Sequence, residues 1–419
     1  MAATSRATRL VPRPARRLYR SWRAEKRTLR QGLVALTLST AASFVAGLIL
    51  ASITHTLSVL PGLLVLIPAA VGMRGTIFGA IGARLGTASA AGTFEANLKR
   101  GGVLAQNVEV AFVTTFTSSL WLAALAKVAT SAFGESSISF WDLVTISVVG
   151  GFLGSVLILL VTLLLSVVSY RRGYDLDSVA TPMVTALGDM GTLPLLYLAT
   201  FLIRYDTLNA IVAGLCIVVT VLAVLRMALR GDPGVRRIVL EMTAVIALTP
   251  LLDIAAGALL QTKEPVLARL PALYILIPPF VSQAGALGGI LSSRLSSKLQ
   301  LGVITNRGLP DRPAVVDGSI VVLLGLAIFA LIGVVGFGLA ALVGQPGPSA
   351  ADTVGGTFLA GLLVMPLILV VGYYLAVLTS RFGLDPDNHA VPIITSVLDL
   401  AGVVALLLAM SLSGVALNG

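Results

Sequence analysis

The sequence predicts an all-α, polytopic membrane protein of about 11 transmembrane helices: two parallel five-helix repeats joined by an extra linking helix. Three observations predict it: a surplus of apolar residues, their arrangement in helix-length runs, and self-similarity at one fixed offset. Of 419 residues, 57% are hydrophobic and 11% charged, against about 25% charged in a soluble domain. A water-soluble core of this size cannot bury that surplus, so lipid must cover it. Several runs reach the roughly 20 uncharged apolar residues needed to cross hydrocarbon. A β-barrel would instead show alternating strands of about ten residues.

Apolar runs and their punctuation place spans near 33–57, 62–83, 104–131, 142–169, 178–202, 207–229, 238–261, 272–293, 316–343, 353–379 and 388–415. The net charge of +10 is concentrated ahead of them: ten of the 29 Lys and Arg lie between Arg6 and Arg30, opposed only by Glu25. Residues 1–30 are therefore read as a basic cytoplasmic tail that sets topology beside anionic headgroups, not as a nucleic-acid-binding arm. With that tail inside, the loops on the same side hold Arg84, Lys99, Arg100, Arg171, Arg172, Arg226, Arg230, Arg236, Arg237, Arg294, Lys298, Arg307, Arg312 and Arg381. The opposite loops hold only Arg204, Lys263 and Arg269, and Arg74 and Lys127 fall within spans. This asymmetry obeys the positive-inside rule for an odd number of helices, with the N-terminus cytoplasmic and the C-terminus extracytoplasmic in the cell membrane. The first apolar segment is too long for a cleaved signal peptide. The single cysteine, Cys216, gives no disulfide framework.

The repeat is explicit. PGLLVLIPAAVGMRGTIFGAIGARL from Pro61 aligns with PALYILIPPFVSQAGALGGILSSRL from Pro271, ten of 25 positions being identical. RRGYDLDSVATPMVTALGD from Arg171 aligns with RFGLDPDNHAVPIITSVLD from Arg381, eight of 19 being identical. Both pairs stand 210 residues apart, as do Asp142 and Asp352. Chance likeness between apolar helices would share Leu and Val, not Pro, Gly, Arg and Asp in register. The chain divides into the tail 1–30, a first repeat 31–206, a linking helix and loop 207–237, and a second repeat 238–419. Five helices per copy would invert tandem repeats; the linking helix restores parity, so both copies run the same way.

The acids inside the apolar spans carry the functional signal. Asp189 lies about eleven residues into the fifth span, and Asp399 takes the matching place in the last, each roughly 16 Å deep. An Asp at that depth costs on the order of 2.5–3.5 kcal/mol and rarely faces lipid. Two carboxylates meeting on a central axis repel unless protonated or bridged, and a divalent cation bridges them. Thr185 and Thr395 stand one turn before these acids, with hydroxyls able to contact the ion or to bond back to their own helix. Pro182 and Pro392, seven residues before the acids, each free a carbonyl. At the cytoplasmic mouth of the same helices, Asp175, Asp177, Asp385, Asp387 and Asn388 can both cap helices and gather cations. For Asp142 and Asp352 capping alone suffices. Asp253 is mid-span in the second copy only, opposite Ser43, and belongs to no symmetric pair; it is expected either to face the aqueous path or to hydrogen-bond a neighbour. Gly72, Gly75, Gly79 and Gly82, with Gly285, Gly288 and Gly289, permit close helix contact or let backbone carbonyls line a pore beside the aspartates. His55 and His389 share no helix, which argues against zinc, and no nucleophile–base–acid set points to an enzyme.

At these residues the chain resembles the MgtE-type magnesium transporters, and most closely the duplicated solute-carrier members of that superfamily. IPAAVGMRGTIFGAIGARL ending at Leu85, its mate through Pro278, DSVATPMVTALGD ending at Asp189 and DNHAVPIITSVLD ending at Asp399 carry the resemblance. It implies a pore between two five-helix units, with the acids at Asp189 and Asp399 holding hydrated or partly dehydrated Mg2+. Thr76 and Ala286 depart from the Gly-Asn often found there, and no room is left for cytosolic regulatory domains. The expected partners are a divalent metal ion, with Mg2+ as the transported ion, and the lipid bilayer; one chain forms a pseudo-dimer, and a homo-oligomer stays open. Two rivals stand beside a Mg2+ or general divalent-cation transporter: a proton- or sodium-coupled exchanger using the same acids, and a scaffold in which they only cement helices.

Overall fold

A computed structural model describes residues 26–90, 101–172, 188, 190–230, 232–304, 308–384 and 386–415. It is all-helical there. The long elements are α1 (Lys26–Ser52), α2 (Leu63–Ala90), α3 (Val103–Ala132), α4, α5 (Met190–Arg204), α6 (Asp206–Arg230), α7 (Pro233–Thr262), α8 (Ala272–Gln300), α9 (Arg312–Leu342), α10 (Ala350–Phe382) and α11 (Pro386–Leu412). The fourth element starts as Phe140–Thr145, passes through a π-helical stretch Ile146–Gly150 and continues as Gly151–Arg172. Ten of these helices are long and apolar enough to cross a membrane; α5 is shorter, and residues 173–187, where its span should begin, lie outside the described residues.

Local chemistry sets the boundaries. Ser139 and Ser349 each accept from the backbone N–H of the Asp three residues on, Asp142 or Asp352, at 3.2 Å. The Asp142 carboxylate accepts in return from the Ser139 N–H, completing a capping box. Asp232 caps α7 from in front of Pro233, where a missing N–H removes no helical bond. Gly383 closes α10 with a left-handed φ of 63°. Helices outrun the apolar runs: α8 continues to Gln300, so Arg294 and Lys298 extend from its last turns instead of a loop. Both reach the fully buried Asp317 of α9, Arg294 at 2.7 Å and Lys298 at 2.6 Å. The first copy lacks this triad, because Ala88 and Asn107 occupy the places of Lys298 and Asp317; Arg84 reaches instead to Glu241 of α7 at 3.7 Å.

The first helix of each copy packs on the other copy. α1 lies along α8, and α7 lies along α2. Glycine makes both contacts possible: Gly47 stands against the Ile275 backbone, and Gly257 against the Val65 backbone, in each case with the carbonyl where a Cβ would be. These four positions obey the 210-residue offset, so the exchange is pseudo-symmetric. Without a hydrophobic force between helices in lipid, such close backbone approach is the main source of association. The linking helix α6 sits at the edge. Leu208, Ile211, Leu215, Val218, Leu222, Leu225 and Leu229 recur at three- and four-residue spacing on its uncovered face, the stripe a lipid-facing helix presents. It is tied to α4 by Asn209, which donates to Asp142 and accepts from Thr145.

Candidate cation site

The site grows from Gly72, two turns into the apolar part of α2. Having no Cβ, Gly72 lets two carboxylates from other helices come against its backbone. A Cβ there would stand 2.9 Å from Oδ2 of Asp253 on α7 and 3.7 Å from Oδ2 of Asp399 on α11. The first helix of the second copy, its last helix and the second helix of the first copy therefore converge on one point. Asp253 is 1% exposed. It hydrogen-bonds Ser396, three residues before Asp399 on the same face of α11, while its Oδ1 has no hydrogen-bond partner among the described residues. Asp399 is half-buried.

Thr395 also faces α2's counterpart: it packs on Gly285 of α8, and its hydroxyl donates to the Pro392 carbonyl at 2.9 Å. The second of its two anticipated roles, bonding back to its own helix, is thus occupied. Gly288 receives Ile394 and Leu398 in the same seam, and Gly289 receives Val391. The glycine run of the second copy is accordingly a packing surface for α11.

Of the other residues singled out from the sequence, Asp189, Thr185, Asp175, Asp177 and Asp385 lie outside the described residues. Asp387 and Asn388 fall in the first turn of α11, but their side chains are likewise outside what is described. Gly188, next to Asp189, is buried and approaches the Arg74 side chain and the Gly75 backbone. Among the described residues no three His, Cys, Asp or Glu gather as a metal cluster; the acids meet in a pair.

Arg74, two residues after Gly72 and therefore about 200° around α2, turns away from that pair. It is 1% exposed, donates to the Ala70 carbonyl at 3.0 Å and to the Ser119 hydroxyl at 3.2 Å, and presses on Gly151. Gly151 directly follows the π-helical stretch of α4, and Ser147 within that stretch donates to the Ser119 carbonyl at 2.6 Å. Because Gly151 has no Cβ, the guanidinium fills the space one would take. Lys127 likewise bends out of its span to donate to the Ile138 carbonyl at 3.0 Å.

Comparison with known proteins bears on what this arrangement does. The model of the MgtE family, described as divalent cation transporter, matches residues 67–200 and again 277–409. The two matches begin 210 residues apart and together cover more than half of the chain. The chain belongs to the MgtE family. As a duplicated MgtE protein it resembles solute carrier family 41 member 3 of Rattus norvegicus, at 26% identity over 90% of this chain and 85% of the relative. The Mus musculus protein of the same name is 25% identical over 81% and 73%. Solute carrier family 41 member 2 of Gallus gallus is 25% identical over 65% of this chain and 48% of its own length. No solved structure matches. Divalent cation transport is thus the activity of the family to which this multi-pass membrane protein belongs.

The repeat points to Asp399, whereas for Asp253 the sequence leaves open an aqueous-path role and a hydrogen bond to a neighbour; the bond to Ser396 is present. The missing signal was the exchange of first helices, which brings α7 against α2 of the other copy beside α11. A mid-span acid flanked by Pro250 and Gly257 was the available hint.

Proposed function

We propose that the protein conducts Mg2+ through a path between the two repeats, with Asp189 and Asp399 as the acids that hold the ion near mid-membrane. The observation that carries this reading is the position of Asp399: its carboxylate reaches across the repeat interface to Gly72 of the opposite copy. An acid at a packed lateral contact within its own repeat would not do so. In this reading the units are a tail at 1–30, repeats at 31–206 and 238–419 and a linking segment at 207–237. The repeats are parallel, the N-terminus is cytoplasmic and the C-terminus outside. Asp175, Asp177, Asp385, Asp387 and Asn388 raise the local cation concentration at the cytoplasmic mouth, and Thr185 and Thr395 offer hydroxyl oxygens to the ion's water shell. Mg2+ dehydrates reluctantly and keeps several waters, so two carboxylates and hydroxyls suffice. An inside-negative potential of 100 mV favours inward movement of a divalent ion by about 4.6 kcal/mol, at about 2.3 per charge.

Mg2+ flux into liposomes tests the proposal. Asp189→Asn and Asp399→Asn are each expected to abolish it, and unaltered flux in both variants rejects the paired-acid site. Flux that requires a proton or sodium gradient identifies a coupled exchanger acting through the same acids.

A further inference from the structure

The path proposed above uses one acid from each fifth helix. Asp253 has no counterpart in that scheme: the first copy carries Ser43 at the matching position, and Ser282 matches Gly72. Its burial nevertheless demands an account. A carboxylate in the middle of a spanning helix is retained where it pairs with a base, meets bound cations or lines a polar path. No base pairs with it among the described residues, and Arg74, the one fully buried cation nearby in α2, is committed to Ala70 and Ser119. What Asp253 does meet is Ser396 and the space over Gly72, where its Oδ2 and that of Asp399 both lie within 4 Å of one point. The buried Oδ1 keeps its lone pairs without a donor.

We infer that Asp253 and Asp399 form a divalent-cation site over Gly72, set to one side of the repeat axis, in which Asp253 supplies the second carboxylate. Two carboxylates balance a doubly charged ion, and an oxygen with no protein donor is free to accept from an ion's water. The two copies are then unequal. An ion at the pair Asp189 and Asp399 has a neighbouring anionic position in the second copy only, since the first offers a serine hydroxyl there. This inference rests on Asp399 being a path acid, but the two are separable.

The test is Mn2+ binding, followed by electron paramagnetic resonance on the purified full-length chain, alongside Mg2+ flux in liposomes. Asp253→Asn keeps the side chain's shape and its ability to accept from Ser396. It is expected to weaken Mn2+ binding about tenfold or more, the range that supporting groups of metal sites already command, and to remove the thermal protection given by Mg2+. If Asp189→Asn and Asp399→Asn abolish flux while Asp253→Asn binds Mn2+ as the native chain does, the second carboxylate is refuted and the paired-acid path stands. If none of the three changes flux or Mn2+ binding, both fall. Should Asp253→Asn not be recovered folded, Asp253→Glu serves: it is expected to keep a Mn2+ signal of altered affinity, and native affinity in that variant overturns the assignment.

Discussion

Substituting alanine for Gly257 perturbs the place where the two copies exchange helices. A Cβ on Gly257 would lie 2.8 Å from Cα and 2.9 Å from the carbonyl carbon of Val65 on α2. At Gly47, its mate 210 residues earlier, the same atom would lie 2.9 Å from the carbonyl carbon and 3.0 Å from Cα of Ile275 on α8. These are backbone atoms, which cannot rotate aside. The carbonyl oxygens lie closer still, so to regain a contact near 3.5 Å the paired helices must part by roughly 1 Å. Overpacking of this kind costs about 1–3 kcal/mol, partly offset by the about 1 kcal/mol that alanine gains over glycine within a helix. Each variant should therefore lose up to about 2 kcal/mol. Their effects on transport should differ. Gly257 is one turn from Asp253 on the same face of α7, whereas the residue one turn before Gly47 is Ser43. Thermal unfolding in detergent measures the first quantity and liposome Mg2+ flux the second. Both variants should melt earlier, and Gly257→Ala should lose more flux than Gly47→Ala at matched stability. Melting like the native chain in both variants would refute the exchanged contact, and equal loss of flux would refute the placement of Asp253 beside the path.

Two further outcomes follow from charges at the helix ends. Asp317→Asn leaves Arg294 and Lys298 without their shared carboxylate. Removing one partner of a buried pair costs about 3–5 kcal/mol, but these two side chains are 21% and 27% exposed and reach water, so a loss of about 2 kcal/mol is expected in thermal unfolding. Glu264, in the short helix between α7 and α8, has an unpartnered buried Oε1, and burial holds its carboxyl above the usual range. A raised acid favours the folded state when protonated, so that stability is lost as pH rises from the unfolded value through the folded one. Glu264→Gln should thus raise the melting temperature at neutral pH and cease to do so in acid, as read from melts across pH 4–8.

Much of this was legible in the residues. The offset of 210 read from Pro61/Pro271 and Arg171/Arg381 returns in the serine caps at Ser139 and Ser349 and in the glycine contacts at Gly47 and Gly257. Asp142 and Asp352 stand in the first turns their positions implied, Asp142 completing the capping box with Ser139 and Asp352 accepting from the Ser349 hydroxyl. What escaped was partner choice. A glycine that admits a neighbour's backbone leaves no polar or periodic mark, so nothing in α1 or α7 announced that each would pack on the opposite copy. Asp253 consequently looked solitary, although folding sets it beside Asp399. Arg74 is likewise opaque: its place depends on Gly151 and Ser119 of other helices, which apolar composition does not reveal. Hydropathy places Arg294 and Lys298 in a loop because the apolar run ends before them, while hydrogen bonding carries α8 onward to Gln300.

The crossed first helices also dictate an order of assembly. α2 leaves the ribosome long before α7, its companion about 170 residues further along the chain, has been made. Until then the face around Val65 and Gly72 must rest against lipid or a provisional neighbour, and neither half can close alone. Closing so long a loop is slow and leaves room for mispairing. The ion site, drawn from α2, α7 and α11, comes into being only after the last helix is in place.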